Sequence, residues 1–273
     1  MEILDYSESF EEKHEELHED FFTPLLALIQ TGFFADVKEK CKYCGTPMEI
    51  PMNEIENGGG GSSWVNRVYS CSRCGWWYEL DQDEIYIGEG DYFATTRYKF
   101  GTLREYDVES ISVPIMVLRR ALLKNINLLF SIHPTKMEQL VGSVFRDYFS
   151  CDVMHLGKSK DGGIDLLLID GDKQYVVQVK RRSTSRSVEG VDVVRELVGA
   201  MVLTQQRSGI FVTTADHFTR PAMNAVKTAR KLGVVKKIEL IDIHRFIDVL
   251  NLTADKVEMP WEKHRRLAKP NRG

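Results

Sequence analysis

The stretch "GIDLLLIDGDKQYVVQVKRR", residues 163–182, decides the fold. Two apolar runs flank the pair Gly171-Asp172, and a Gly-Asp pair in that setting reads as a two-residue hairpin loop. With that loop, Asp170 pairs with Lys173. Counting outward in antiparallel register puts Asp165 opposite Gln178, and facing residues share one side of the sheet. Side chains alternate along a strand, so Val177 and Val179 lie on one face while Gln178 and Lys180 lie on the other. A three-residue loop would break this parity, because a slip of one residue turns every side chain over. An amide and an ammonium are costly to bury without partners. Their face therefore meets solvent, or it meets something that uses a carboxylate, an amide oxygen and an ammonium together.

The pattern around the hairpin is regular. "TKMEQLVGSVFRDYFS" (135–150) spaces Met137, Leu140, Val141, Val144, Phe145, Tyr148 and Phe149 as a helix does. Three strands follow in "DVMHLG", "GIDLLLI" and "QYVVQVK", then a helix over about 189–206. Strand "GIFVTTA", helix "RPAMNAVKTARKL", strand "KKIELI" and helix "DIHRFIDVL" complete the series. The order α-β-β-β-α-β-α-β-α predicts an α/β domain, a mixed sheet flanked by helices.

A hard divalent cation suits the polar patch of the hairpin. Mg²⁺ takes oxygen ligands and keeps several waters. Asp165 would supply the anionic ligand, and the Gln178 side-chain oxygen and the Val179 carbonyl the neutral ones. Lys180 could orient or deprotonate the attacking water, or stabilise a pentacovalent phosphate. A solvated hairpin edge gives the same letters, and short D…QxK patterns recur by chance, so the triplet alone does not decide.

The cysteines carry a second signal. "CKYCG" (41–45) and "CSRCG" (71–75) give C-x2-C, 26 residues, C-x2-C. Two such pairs match the knuckles of a tetrahedral Zn²⁺ site and resemble a zinc ribbon. Gly45 and Gly75 let the chain turn tightly behind each second cysteine. Cys41, Cys44, Cys71 and Cys74 are the expected ligands of a closed structural zinc, with "ENGGGGSSW" absorbing the long spacer. Two disulfides or a redox pair are the alternatives; an intracellular setting disfavours the first and the duplication the second. Cys151 reads as a small buried hydrophobe.

The chain has 273 residues, 43% hydrophobic and 28% charged, with a net charge of −4. That is enough for one large domain or two smaller ones. Charge is uneven, with an acidic start, "MEILDYSESFEEKHEELHED", and a basic end, "EKHRRLAKPNRG". No signal peptide or membrane-length apolar run is visible, so a soluble, cytoplasmic protein is expected. The expected divisions are an acidic helical segment at 1–35 with its helix over 9–30, a zinc-ribbon-like module with an aromatic extension at 36–107, a linker helix at 108–133, the α/β domain at 134–250 and a basic tail at 251–273.

Over about 134–250 the sequence resembles the catalytic domain of Mrr-like restriction endonucleases, of the PD-(D/E)XK nuclease superfamily. The resemblance rests on Gly163-x-Asp165, Gln178-x-Lys180, "RELVGA", "FVTTADHFTRPA" and the order of elements. It implies a restriction-endonuclease-like fold and Mg²⁺-dependent hydrolysis of phosphodiester bonds in double-stranded DNA, in restriction or defence against foreign DNA. It makes Asp165 the metal ligand and Lys180 the catalytic lysine. Gln178 stands where the superfamily usually has Asp or Glu, which removes one negative charge. Glu138 has two readings. By resemblance it is an acid reaching the metal or its water; by local pattern, Thr135-x-x-Glu138 is a capping box. Lys158, Lys160, Arg181 and Arg182 flank the site and are expected to touch DNA phosphates. His155 and His217 have weak claims, since this chemistry needs no histidine. In "TRYKFGTLR" (95–103) the basic residues could meet the DNA backbone, while Tyr98 and Phe100 read better as a satellite core. One site per chain suggests a homodimer for double-strand cleavage. The rival readings are a nuclease on structured DNA or RNA, an inactive DNA-binding protein, and a zinc-ribbon adaptor.

Overall fold

The computed structural model of the chain describes residues 2–19, 40–58, 62–88, 91–156 and 163–262, with only the backbone for 7–19, 57–58, 84–88 and 91–94. The chain divides into two compact units, Met1–Ile3 with Tyr106–Glu258, and Leu4–Glu105 with Met259–Gly273.

The cysteine-bearing unit is built on strands β1 (Glu2–Glu19), β2 (Glu49–Gly58), β3 (Ser62–Ser70), β4 (Trp77–Gly88) and β5 (Asp91–Asp107). They form one sheet in the order β1-β5-β4-β3-β2, and β2 to β5 run as an antiparallel meander. Its core is aromatic: Tyr69, Trp76, Trp77, Tyr78, Tyr98 and Trp261 are buried with Cys41 and Cys71. Tyr69 and Tyr78 stack at 4.6 Å. Buried indoles need partners for their N–H groups; Trp76 donates to the Gly101 carbonyl at 3.2 Å and Trp77 to that of Tyr6 at 2.5 Å. Tyr98 is buried and Phe100 packs against this core, as the satellite-core reading expects.

Two expectations need correction here. The acidic start is a strand over Glu2–Glu19, where a helix over 9–30 was expected; residues 20–30 lie outside the described residues. β1 is an edge strand, and a charged edge resists pairing with another chain. The basic end is not a tail throughout, because Trp261 is buried 6.2 Å from Trp77. Residues 263–273 lie outside the described residues.

The other unit follows the predicted α/β order. It contains α1 (Ile115–Lys124), a 3₁₀ turn (Ile126–Phe130), α2 (Pro134–Phe149), β6 (Asp152–His155), β7 (Leu166–Asp170) and β8 (Lys173–Lys180). Then come β9 (Val188–Glu189), α3 (Val191–Leu203), β10 (Ser208–Thr213), β11 (His217–Phe218), α4 (Arg220–Lys231), β12 (Lys237–Ile241) and α5 (Ile243–Leu252). The main sheet runs β12-β10-β8-β7-β6, parallel across β12, β10 and β8 and antiparallel across β8, β7 and β6. The hairpin has the deduced register, with Asp170 facing Lys173 and Leu166 facing Val177.

Both faces of this sheet are covered, each for a reason visible in strand alternation. Leu166, Leu168, Val177, Ile210 and Val212 pack against α1, α2 and α5. Ile164, Val176, Phe211 and Ile238 pack against α3 and α4. The segment expected as a linker helix belongs to the first of these cores: Val117, Leu118, Leu122, Leu129 and Ile132 are fully or nearly fully buried in it. Cys151 is buried there too, and burial pushes its thiol pKa up.

Arg119 sits inside this layer at 1% exposure. It donates to Asp147 at 2.5 Å, Ser143 at 3.1 Å, and both the carbonyl and hydroxyl of Thr253 at 3.0 Å. It joins α1, α2 and the end of α5. Truncation would strand the partners of a buried cation, so Arg119→Ala should cost about 3 kcal/mol of stability. Denaturant unfolding measures it.

Candidate active site

Asp165 lies one residue before β7 and is held against β8 from both sides of Gln178. Its N–H donates to the Val177 carbonyl at 2.9 Å, and its carboxylate accepts from the Val179 N–H at 2.6 Å. Gly163 comes close to the Gln178 amide: a Cβ at Gly163 would lie 3.3 Å from Gln178 Nε2, and Gly163 has φ +91°. The positive φ favours a glycine there, and its lack of a side chain leaves room for the amide. Gln178 Oε1 is buried and accepts no hydrogen bond among the described residues. Lys180, the last residue of β8, is exposed and pairs in register with Thr213 of β10. The structure thus brings Asp165 and Gln178 together at the end of the strand that carries Lys180.

Glu138 is half-buried on the second turn of α2. The cap of that helix is His133, whose Nδ1 accepts from the Thr135 N–H at 3.2 Å, with Pro134 in the first turn. Thr135 Oγ1 has no hydrogen-bond partner among the described residues. The capping box on Thr135 therefore does not form; with proline at the first helical position the cap is His133, two residues earlier than the letters suggest.

The flanking basic residues divide. Lys158 and Lys160 lie outside the described residues. Arg181 donates to the Phe130 carbonyl at 2.7 Å, and Arg182 forms a two-pronged ion pair with Glu189 at 2.8 and 2.6 Å. Each guanidinium thus has an internal partner, and the Arg182 side chain remains 34% exposed. The Glu189 hydrogen bonds also raise the Arg182 pKa. His155 is exposed, its pKa lowered by desolvation and by Arg146, and His217 pairs with Asp216 at 2.8 Å. Sequence reasoning missed Glu189. An acid in "SVEGVDVV" ahead of a helix gives one signal, a carboxylate among apolar neighbours, but not its partner.

The four cysteines form a second centre. Their sulfurs all lie within 4.8 Å of one another, with Cys41–Cys74 at 3.5 Å and Cys44–Cys71 at 3.4 Å. All four are free thiols rather than disulfides. The two loops repeat one geometry: Gly45 N–H to the Cys41 carbonyl and Gly75 N–H to the Cys71 carbonyl, both at 2.8 Å. Gly45 and Gly75 have φ +69° and +80°. The Cys44 thiol is pulled down to about 6, chiefly by the Thr46 hydroxyl, whereas burial pushes Cys74 up to about 12. Such a cluster can hold a metal ion.

Comparison with curated proteins returns no match. Among solved structures, FokI restriction endonuclease is similar at 10% identity and TM-score 0.35, over 63% of this chain and 35% of FokI. A complex of EndoMS with double-stranded DNA is similar at 13% identity and TM-score 0.27, over 84% of this chain and 97% of that one. A repair endonuclease from Pyrococcus abyssi is similar at 13% identity and TM-score 0.23, over 84% and 98%. Among the described residues no helix is long and apolar enough to cross a membrane. A family model, Mrr_cat, described as restriction endonuclease, matches residues 129–250, the span over which the motifs resemble that family. Over those residues the α/β unit is similar to the Mrr_cat family of restriction endonuclease domains.

Proposed function

We propose that this chain is a Mg²⁺-dependent DNA endonuclease that acts in restriction or defence, with Asp165, Gln178 and Lys180 as its catalytic residues. The observation that carries this reading is Gln178 Oε1, a buried acceptor without a donor among the described residues, beside a strand-end carboxylate. An orphaned oxygen of this kind costs stability unless something occupies it, and a hard cation suits it. Asp165, Gln178 Oε1 and the Val179 carbonyl would hold Mg²⁺, with Glu138 as a further acid. The chemistry that Mg²⁺ supplies when bound is charge neutralisation on the phosphoryl oxygens. Lys180 orients the attacking water and opposes the charge that grows on the phosphate. Asp165 also fixes the Val179 backbone, which keeps the strand end in place. Zn²⁺ at Cys41, Cys44, Cys71 and Cys74 is structural, since four thiolates leave no open position. With one site per chain, double-strand cleavage requires two copies.

Cleavage of duplex, branched and single-stranded DNA and of RNA tests the substrate. Duplex should be cut fastest; RNA cut faster than DNA would overturn the DNA assignment. Binding measured in EDTA, where cutting is suppressed, should weaken about tenfold or more between low and physiological salt, because phosphate contacts release counterions. A flat profile would contradict a DNA partner.

A further inference from the structure

We infer that Glu189 is a positioning residue for Lys180: its buried carboxylate ties the exit of β8 to the exit of β10 and so fixes where the ammonium stands. This rests on the nuclease reading above. Glu189 has 0% exposure, a costly place for a carboxylate unless every oxygen is used. Oε1 accepts from Arg182 Nε at 2.8 Å and from the Thr213 hydroxyl at 2.7 Å; Oε2 accepts from the Arg182 guanidinium at 2.6 Å. Thr213 is the residue of β10 that faces Lys180, and Arg182 is two residues beyond Lys180. The carboxylate therefore grips both strands at the level of the lysine.

Three further bonds close the same loop. Thr214 N–H donates to the Lys180 carbonyl at 3.2 Å, Arg182 N–H donates to the Thr214 hydroxyl at 2.6 Å, and that hydroxyl donates to the Arg182 carbonyl at 3.0 Å. Glu189 itself is fixed by its backbone. It pairs with Phe218 between β9 and β11, and its carbonyl accepts from Thr219 N–H at 2.9 Å. Lys180 is exposed. The backbone sets where its stem leaves the sheet, and that backbone is at the last rung of the ladder.

Glu189→Gln keeps the shape and removes the charge. Three quantities are read for it and for wild type, below both unfolding midpoints: the midpoint, duplex affinity in EDTA, and the single-turnover cleavage rate in Mg²⁺. The rate should fall about ten- to a hundredfold while affinity stays within about twofold, since a small displacement of a catalytic group costs rate more than binding. Thr213→Val should fall likewise, and Thr213→Ser, which restores the hydroxyl, should recover most of the rate. A wild-type rate in Glu189→Gln, or a rate loss matched by an equal affinity loss, overturns the positioning role while leaving the nuclease reading intact. If Glu189→Gln fails to fold, equal rates for Thr213→Val and Thr213→Ser overturn it. A wild-type protein that cuts nothing in Mg²⁺ overturns the nuclease reading and the positioning role with it.

Discussion

Lys180→Ala is expected to cut DNA at least about a hundredfold more slowly than wild type, a barrier increase of about 2.7 kcal/mol, because the lost cation acts mainly in the transition state. Its affinity for duplex should change little, as one charge among many phosphate contacts is a small share of binding. Its fold should be unaffected, since the side chain is exposed. Asp165→Ala should be equally inactive but less stable, because the Val179 N–H loses its acceptor. That loss is on the order of 1–2 kcal/mol. Asp165→Asn retains an acceptor and separates the two effects. Gln178→Ala should lose most activity, while Gln178→Glu, with the superfamily's usual charge restored, should retain some with a changed metal preference. Single-turnover cleavage, DNA affinity and thermal unfolding are the readouts. Lys180→Ala cutting at the wild-type rate would reduce the "YVVQVK" strand to a solvated hairpin edge.

The second large effect concerns the cysteines. Cys71→Ser should bring zinc well below one per chain and disrupt the cysteine-bearing unit. In a small metal site the binding energy is folding energy, about 10–16 kcal/mol in zinc-finger peptides. Trp76 and Trp77 report on it directly, for both are fully buried beside Cys74 in the aromatic core. Their emission should shift to that of solvated indole in the variant, and in wild type after treatment with a strong chelator. Elemental analysis of wild-type protein purified without added metal should find one zinc per chain; less than about half would contradict a tetrahedral site of four cysteines. The two centres fail independently, since an empty cysteine cluster says nothing about Lys180.

What the sequence made legible was local. The Gly171-Asp172 loop set the hairpin register, and the hydrophobic periods placed the five strands of the main sheet and the helices between them, though not the short β9 and β11, because each signal lies within one element or one turn. What it hid was long-range. Glu, Lys and Leu favour a helix in the acidic start, but β5, some ninety residues on, offers it an edge to pair with. Nothing local marks Arg119 for burial, since its acceptors come from Thr253, 134 residues away. Arg182 reads as a phosphate contact because it follows a catalytic-looking lysine. Its carboxylate comes back across the loop to β9, and no periodicity announces that return.

The most direct test of the central claim is nicking of a supercoiled duplex plasmid by the wild-type protein, with Mg²⁺ and with EDTA. Zinc occupancy is checked in both samples, so that loss of the structural metal is not mistaken for loss of the catalytic one. The account predicts cleavage in Mg²⁺ and none in EDTA, with activity returning when Mg²⁺ is restored to zinc-loaded protein. No cleavage in Mg²⁺, or cleavage that persists in EDTA, would contradict it.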